Sequence, residues 1–213
     1  MATERRAITI IGCGPGSPDH ITPAAVDAAR SAEVLIGTDR LLHFFTDADA
    51  EKIPVGSAVE ETLDRVGERF GHKQIAVLVS GDPGLFSLAR LVIQRFGREH
   101  CRVIPGVSSV QVAFARLGLD WGDAIILSAH KHDPDIDPAW AAAAKIAVLA
   151  GRKGSLEWTA EQLLPTLEDR LVFLCENLTM PDESVREVKP TELLTLQASS
   201  RSVILIVKRS SFQ

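Results

Sequence analysis

One stretch constrains this chain more than any other, Ile8 to Ala25, reading ITIIGCGPGSPDHITPAA. An apolar run from Ile8 to Ile11 breaks at once into Gly12, Gly14, Pro15, Gly16 and Pro18. Thr22 and Pro23 then have the chemistry of a helix start. The threonine hydroxyl accepts from a free backbone N–H, and proline lacks the N–H that would go unpaired there. Strand, glycine loop and helix in that order form a ligand loop at the carboxyl edge of a parallel sheet. The glycines permit positive φ and close approach of a ligand to the backbone. The spacing argues against a dinucleotide fingerprint, because the third glycine position of G-x-G-x-x-G is held by Ser17.

Beyond this stretch, strands alternate with helices, which predicts α/β architecture with largely parallel sheets. Strands are expected over Glu33–Gly37, Lys52–Val55, Gln74–Val79, Cys101–Ile104, Asp123–Ser128, Ile146–Leu149 and Arg170–Cys175. Helices are expected over Pro23–Ser31, Thr38–Phe45, Ala58–Phe70, Pro138–Ala144 and Leu156–Leu167, with a short one over Pro190–Leu194. Ser184–Lys189 and Ser202–Lys208 read as an antiparallel pair, and LGLDWG (Leu117 to Gly122) as a hinge. That hinge divides the chain into domains 1–117 and 118–213.

The 213 residues carry a net charge of −5, so no global field favours nucleic acid. The apolar runs are of strand length, so no membrane span is expected, and the first of them ends too soon for a secretory signal. Cys13, Cys101 and Cys175 are odd in number and far apart, and each falls in or beside a strand. They read as small buried hydrophobes in a reducing, cytoplasmic setting.

Two further loops repeat the opening grammar. Ser80-Gly81-Asp82-Pro83-Gly84-Leu85-Phe86 follows one strand, and Pro105-Gly106-Val107-Ser108-Ser109 follows another. Asp82 before Pro83 has two readings, a helix N-cap and a ligand-facing carboxylate; Ser108 has the same pair. None of the three loops contains Lys or Arg, and no GK[ST] phosphate loop occurs. The loops offer backbone groups, the hydroxyls of Ser17, Ser80, Ser108 and Ser109, and the carboxylates of Asp19 and Asp82. That inventory suits a neutral or cationic ligand bearing ribose hydroxyls, and S-adenosylmethionine fits it.

The second half has the opposite polarity at its strand ends, with His130, Lys131, His132, Arg152 and Lys153. Three readings stand open: a site for substrate carboxylates (His130, Lys131, Arg152 and Lys153), a solvated basic edge, or a hydrolase metal site from His130, His132, Asp133 and Asp135. No nucleophile–His–Asp arrangement with motif context occurs, so no catalytic residue is assigned.

The three loops carry a resemblance. GCGPGSPDHIT, SGDPGLF and VIPGVSS, in that order, resemble the three motifs of the tetrapyrrole (corrin/porphyrin) methylase family, across the whole chain. Ser17 stands where that family usually has Asp. SAHKHDPD and CENLTMPDESV resemble the members that methylate carbon 5 of a precorrin-7 or cobalt-precorrin-7 type corrinoid in cobalamin biosynthesis. Lys131 stands where those members often have glycine. The resemblance implies two α/β domains with the active-site cleft between them, S-adenosylmethionine as cofactor, and a homodimer. It implies Pro15 beside the cofactor, Gly81, Asp82 and Leu85 on its ribose and amino-acid end, and Ser108 and Ser109 binding through backbone and hydroxyl. Ala150 and Leu178 would contact its adenine side. A fused or separate CbiT-like methyltransferase/decarboxylase unit would act at carbon 15. Alternatives are a family member acting at another ring carbon, the metal-dependent hydrolase, and a non-catalytic sensor of adenosyl ligands.

Overall fold

The computed structural model describes residues 8–56, 58–135, 137, 139–163, 169–197 and 199–212. Its internal contacts divide the chain after Ser108 into two units. The first holds β1 (Ile8–Gly12), α1 (Pro23–Arg30), β2 (Val34–Gly37), α2 (Asp39–Leu42), β3 (Glu51–Pro54), α3 (Val59–Gly67), β4 (Ile75–Val79), α4 (Ala89–Phe96) and β5 (Cys101–Ile104). Its strands form one sheet in the order β3-β2-β4-β1-β5, every pairing parallel.

Parallel strands covered on both faces read as unbroken apolar runs, and the burial shows why. Ala25 and Ala29 of α1 and Leu41 and Leu42 of α2 pack with Ile11, Leu35, Ala76 and Leu78 on one face. Leu63 and Val66 of α3 and Ala89 and Val92 of α4 pack with Ile10, Ile36, Ile75 and Val77 on the other. β1 and β4 are neighbours, yet α1 lies on one face and α4 on the opposite one. The connection thus changes face between these two neighbouring strands, the kind of switch point at which ligands bind in such sheets.

The second unit holds α5 (Ser109–Arg116), β6 (Ile125–Ser128), α6 (Ala139–Ala142), β7 (Lys145–Leu149), α7 (Ser155–Leu163), β8 (Arg170–Glu176), β9 (Ser184–Val188) and β10 (Ser202–Lys208). The order is β6-β7-β10-β8-β9. Only β6 and β7 run parallel; the other pairings are antiparallel. The expectation of largely parallel sheets thus holds for the first unit and fails for the second. β9 and β10 do not pair with each other either, because β8 lies between them and pairs with both. Among the expected helical residues, Pro138 and residues 164–167 lie outside the described residues.

Helix α5 packs against β10, and its Val110, Ala113 and Phe114 are buried. It therefore groups with the second unit, whereas the sequence reading places it before the division at 117/118. The expected hinge is anchored by a nearly buried cation. Lys145 Nζ, at the start of β7, donates to Asp120 O at 3.0 Å and Asp120 Oδ2 at 2.9 Å, and meets Asp123 Oδ1 at 2.5 Å.

Candidate functional site

At the carboxyl edge of the first sheet the three glycine loops interlock through their backbones. Cys13 N donates to Val79 O at 2.9 Å, and Gly81 N donates to Gly14 O at 2.8 Å, forming an antiparallel bridge. A methyl group on Gly12 would lie 2.6 Å from Gly106 N, and one on Gly106 would lie 2.4 Å from Gly81 O. Backbone therefore packs on backbone, and only glycine fits there. Gly81 is different: at φ +66 it meets nothing nearer than Ser108 Cα at 3.9 Å. A side chain there would meet only ordinary van der Waals contact, and it is the positive φ that favours glycine.

Thr22 behaves as expected, its Oγ1 accepting from Ala25 N at 3.2 Å with Pro23 opening α1. Ser17 caps a preceding 3-10 turn, Pro18–His20, by accepting from Asp19 N. Of the two readings of Asp82, the helix N-cap does not hold. No helix starts at Pro83, and α4 begins at Ala89. The Asp82 carboxylate instead accepts from Gly84 N at 2.7 Å through Oδ1 and from Gly106 N at 3.0 Å through Oδ2. It closes its own turn and staples the loop after β4 to the loop after β5. Leu85 is half-buried in that turn and Pro15 half-buried beside the bridge, while Ser108 is buried directly before α5, where Ser109 is the first residue.

A cation also reaches this edge from the helix expected over Thr38–Phe45, to which the sequence assigns no site residue. Arg40, in α2, donates from Nη2 to Ser80 Oγ at 2.7 Å, and its guanidinium lies 5.9 Å from the Phe44 ring centre. The three loops lack basic residues, but the edge they form does not. The signal was present, since Thr38-Asp39-Arg40 follows β2, the strand beside β4. No glycine–proline cluster marked that strand end as a loop of the same kind. Cys13 lies nearby and is inert, with burial raising its thiol pKa to about 12.

In the second unit the carboxyl ends of β6, β7 and β8 share one sheet edge with the start of β10. Ala150 is buried and held on both sides. Its N–H donates to Ser202 O at 2.9 Å, and its carbonyl lies 3.0 Å from His130 Nδ1, which donates to it in the tautomer with the proton on that nitrogen. Arg152 is committed internally: Nε donates to Ala129 O at 3.3 Å, Nη1 to Lys153 O at 3.1 Å, and Nη2 pairs with Asp133. It ties the loop after β6 to the loop after β7. His130, Lys131, His132 and Lys153 are exposed on that edge. Among the described residues, no group of three His, Cys, Asp or Glu side chains is placed to hold a metal ion.

Leu178 is 3% exposed and lies between two residues in the left-handed region, Asn177 at φ +50 and Thr179 at φ +71. Asn177 Nδ2 donates to Asp182 Oδ2 at 2.8 Å, and Ser199 Oγ donates to Asn177 Oδ1 at 2.7 Å. Glu183 accepts from Thr179 N through Oε2 and from Arg116, at 2.5 Å from Nε to Oε1 and 3.1 Å from Nη2 to Oε2. The turn is therefore fixed from several sides, none of which the sequence alone indicates.

The described helices include none long and apolar enough to cross a membrane. In donor chemistry the three loops at the first sheet's edge offer glycine backbone, hydroxyls and the Asp82 carboxylate, with the Arg40 guanidinium held at Ser80 beside them. The family model of tetrapyrrole (corrin/porphyrin) methylases matches residues 7–194. The chain is 30% identical over 203 residues to the cobalt-precorrin-7 C(5)-methyltransferase of Salmonella typhimurium, covering 95% of this chain and 100% of that protein. Among solved structures it resembles the cobalamin biosynthesis precorrin-6Y methylase (CbiE) of Archaeoglobus fulgidus, with a TM-score of 0.74 and 25% identity over 96% of this chain and 99% of that one. It also shares the fold of a uroporphyrin-III C-methyltransferase from Thermus thermophilus complexed with S-adenyl homocysteine, with a TM-score of 0.72 and 20% identity over 94% and 92% of the two chains.

Proposed function

The chain belongs to the tetrapyrrole methylase family, and from that premise we propose that it transfers the methyl group of S-adenosylmethionine to carbon 5 of a precorrin-7 or cobalt-precorrin-7 type corrinoid. The observation that carries the reading is the match to a carbon-5 methyltransferase along 95% of this chain and the whole of that protein. S-adenosylmethionine supplies an electrophilic methyl on a sulfonium, so one C–C bond forms as one C–S bond breaks. The protein's part is to align the reacting atoms and exclude water, and no general base is assigned.

In this reading Pro15, Gly81, Asp82, Leu85, Ser108 and Ser109 hold the cofactor, with Ala150 and Leu178 on its adenine side. Lys131, Lys153 and His130 meet substrate carboxylates, and Arg152 holds their two loops in place. The enzyme works as a cytoplasmic homodimer, and carbon 15 is left to a separate or fused methyltransferase/decarboxylase. The hydrolase reading has weaker support, since Asp133, one of its ligands, is engaged by Arg152.

Mass spectrometry of the product made by the purified chain tests the proposal. A gain of one methylene unit without loss of carbon dioxide is the expected result. Two methyl additions with decarboxylation, or methylation at another carbon by NMR, would overturn it.

A further inference from the structure

We propose that Glu183 is a positioning residue of the cofactor site, holding the left-handed turn Asn177–Thr179 so that Leu178 and the flanking backbone are preset for the adenine ring. The inference rests on the reading of Leu178 as an adenine contact. Its own support is geometric. Thr179 is β-branched, and φ +71 is a genuine outlier for such a side chain. A conformation of that kind persists only where its surroundings over-determine it, and such residues cluster at ligand clamps.

Glu183 supplies a charged contact to that backbone. One carboxylate takes the Thr179 N–H and the fork of Arg116 together. Charged acceptors of this kind make the stronger hydrogen bonds, and a bidentate Arg adds direction. Arg116 is the last residue of α5, which packs on β10, so the carboxylate is itself held by a packed element. Asn177 is fixed independently through Asp182 and Ser199. Removing Glu183 withdraws the charged acceptor from the Thr179 N–H and leaves its left-handed backbone less firmly held.

The test compares S-adenosylhomocysteine with its inosine analogue, which replaces the 6-amino donor of adenine by a carbonyl acceptor. Calorimetric titration of the full chain should show the adenosyl form bound more tightly. Glu183→Ala should weaken it about tenfold, the equivalent of one lost hydrogen bond, and bring the adenosyl-to-inosyl ratio toward one. Glu183→Gln keeps an acceptor for Thr179 N–H and should keep most of the ratio. Glu183→Asp keeps the charge but is too short to span both partners, so its ratio should fall as well; it serves if the alanine variant does not fold. An unchanged ratio in Glu183→Asp, or equal losses for both ligands in Glu183→Ala, would overturn the proposal. Failure of the unaltered chain to bind S-adenosylhomocysteine would instead overturn the cofactor reading on which it depends.

Discussion

Asp82 holds two loops with one side chain, and that changes what its substitution should do. An asparagine has a single acceptor oxygen, so it keeps Gly84 N or Gly106 N but not both. Asp82→Asn should cost about 1 kcal/mol in urea unfolding and weaken S-adenosylhomocysteine binding by calorimetry. An N-cap would have tolerated the change. Phe86, in the same segment, has φ +48 with its side chain in a residue that is 59% exposed. Left-handed backbone costs an L-residue about 1–2 kcal/mol, of which glycine's extra chain entropy returns part. Phe86→Gly should therefore stabilise the chain by about 0.5–1 kcal/mol in the same assay. Asp82 was legible as important from its place after a strand. Its partners were not, because Asp-Pro has the local chemistry of a helix start and the deciding N–H belongs to Gly106, on another loop. The place of Arg40 after a strand was legible, but its partner was not, since the contact with Ser80 joins residues 40 positions apart.

Among the elements, the segment before β6 depends on a single lysine. Hydrogen bonds to Asp123 and Asp120 hold the Lys145 ammonium above its ordinary pKa of 10.5, and the same contact holds Asp120 below its ordinary 3.8. The lysine's contribution is complete below 10.5 and is lost as pH rises through its higher folded value. Asp120's is complete above 3.8 and is lost as pH falls through its lower folded value. Amide exchange at Trp121 to Ala124, taken relative to the intrinsic rate at each pH, should accordingly quicken in strong acid and strong base. In Lys145→Met it should be fast throughout, with a Tm lower by a few degrees. Strand positions were well legible, because continuous apolar runs such as Ile75–Val79 are dictated by burial on both faces. Pairing was less so. β10 is buried from Ser202 to Val207, whereas β9 exposes Arg186 and Glu187, a contrast that marks a central strand and an edge strand rather than partners. The chain order of the two hid it.

At the scale of the whole molecule, a ligand that binds only the folded chain must stabilise it. S-adenosylhomocysteine at a hundredfold excess over its Kd should add about 2.7 kcal/mol, or roughly 5–11 °C in Tm for a chain of this size. ATP or NAD at the same concentration should leave Tm unchanged, and an equal shift with either would contradict a site chosen for ligands without phosphate. The place of β10 in its sheet has a consequence for how the protein is made. Translation delivers β6, β7, β8 and β9 before β10, yet β10 is the strand that separates β7 from β8. Until it leaves the ribosome, two apolar strands wait with open edges, each a template for pairing with a neighbouring chain. The first unit suffers no such delay, since all five of its strands precede Ser109. Nascent chains halted before Ser202 should yield a protease-resistant first unit and a degraded remainder, and this interval is when the cell's chaperones have most to do.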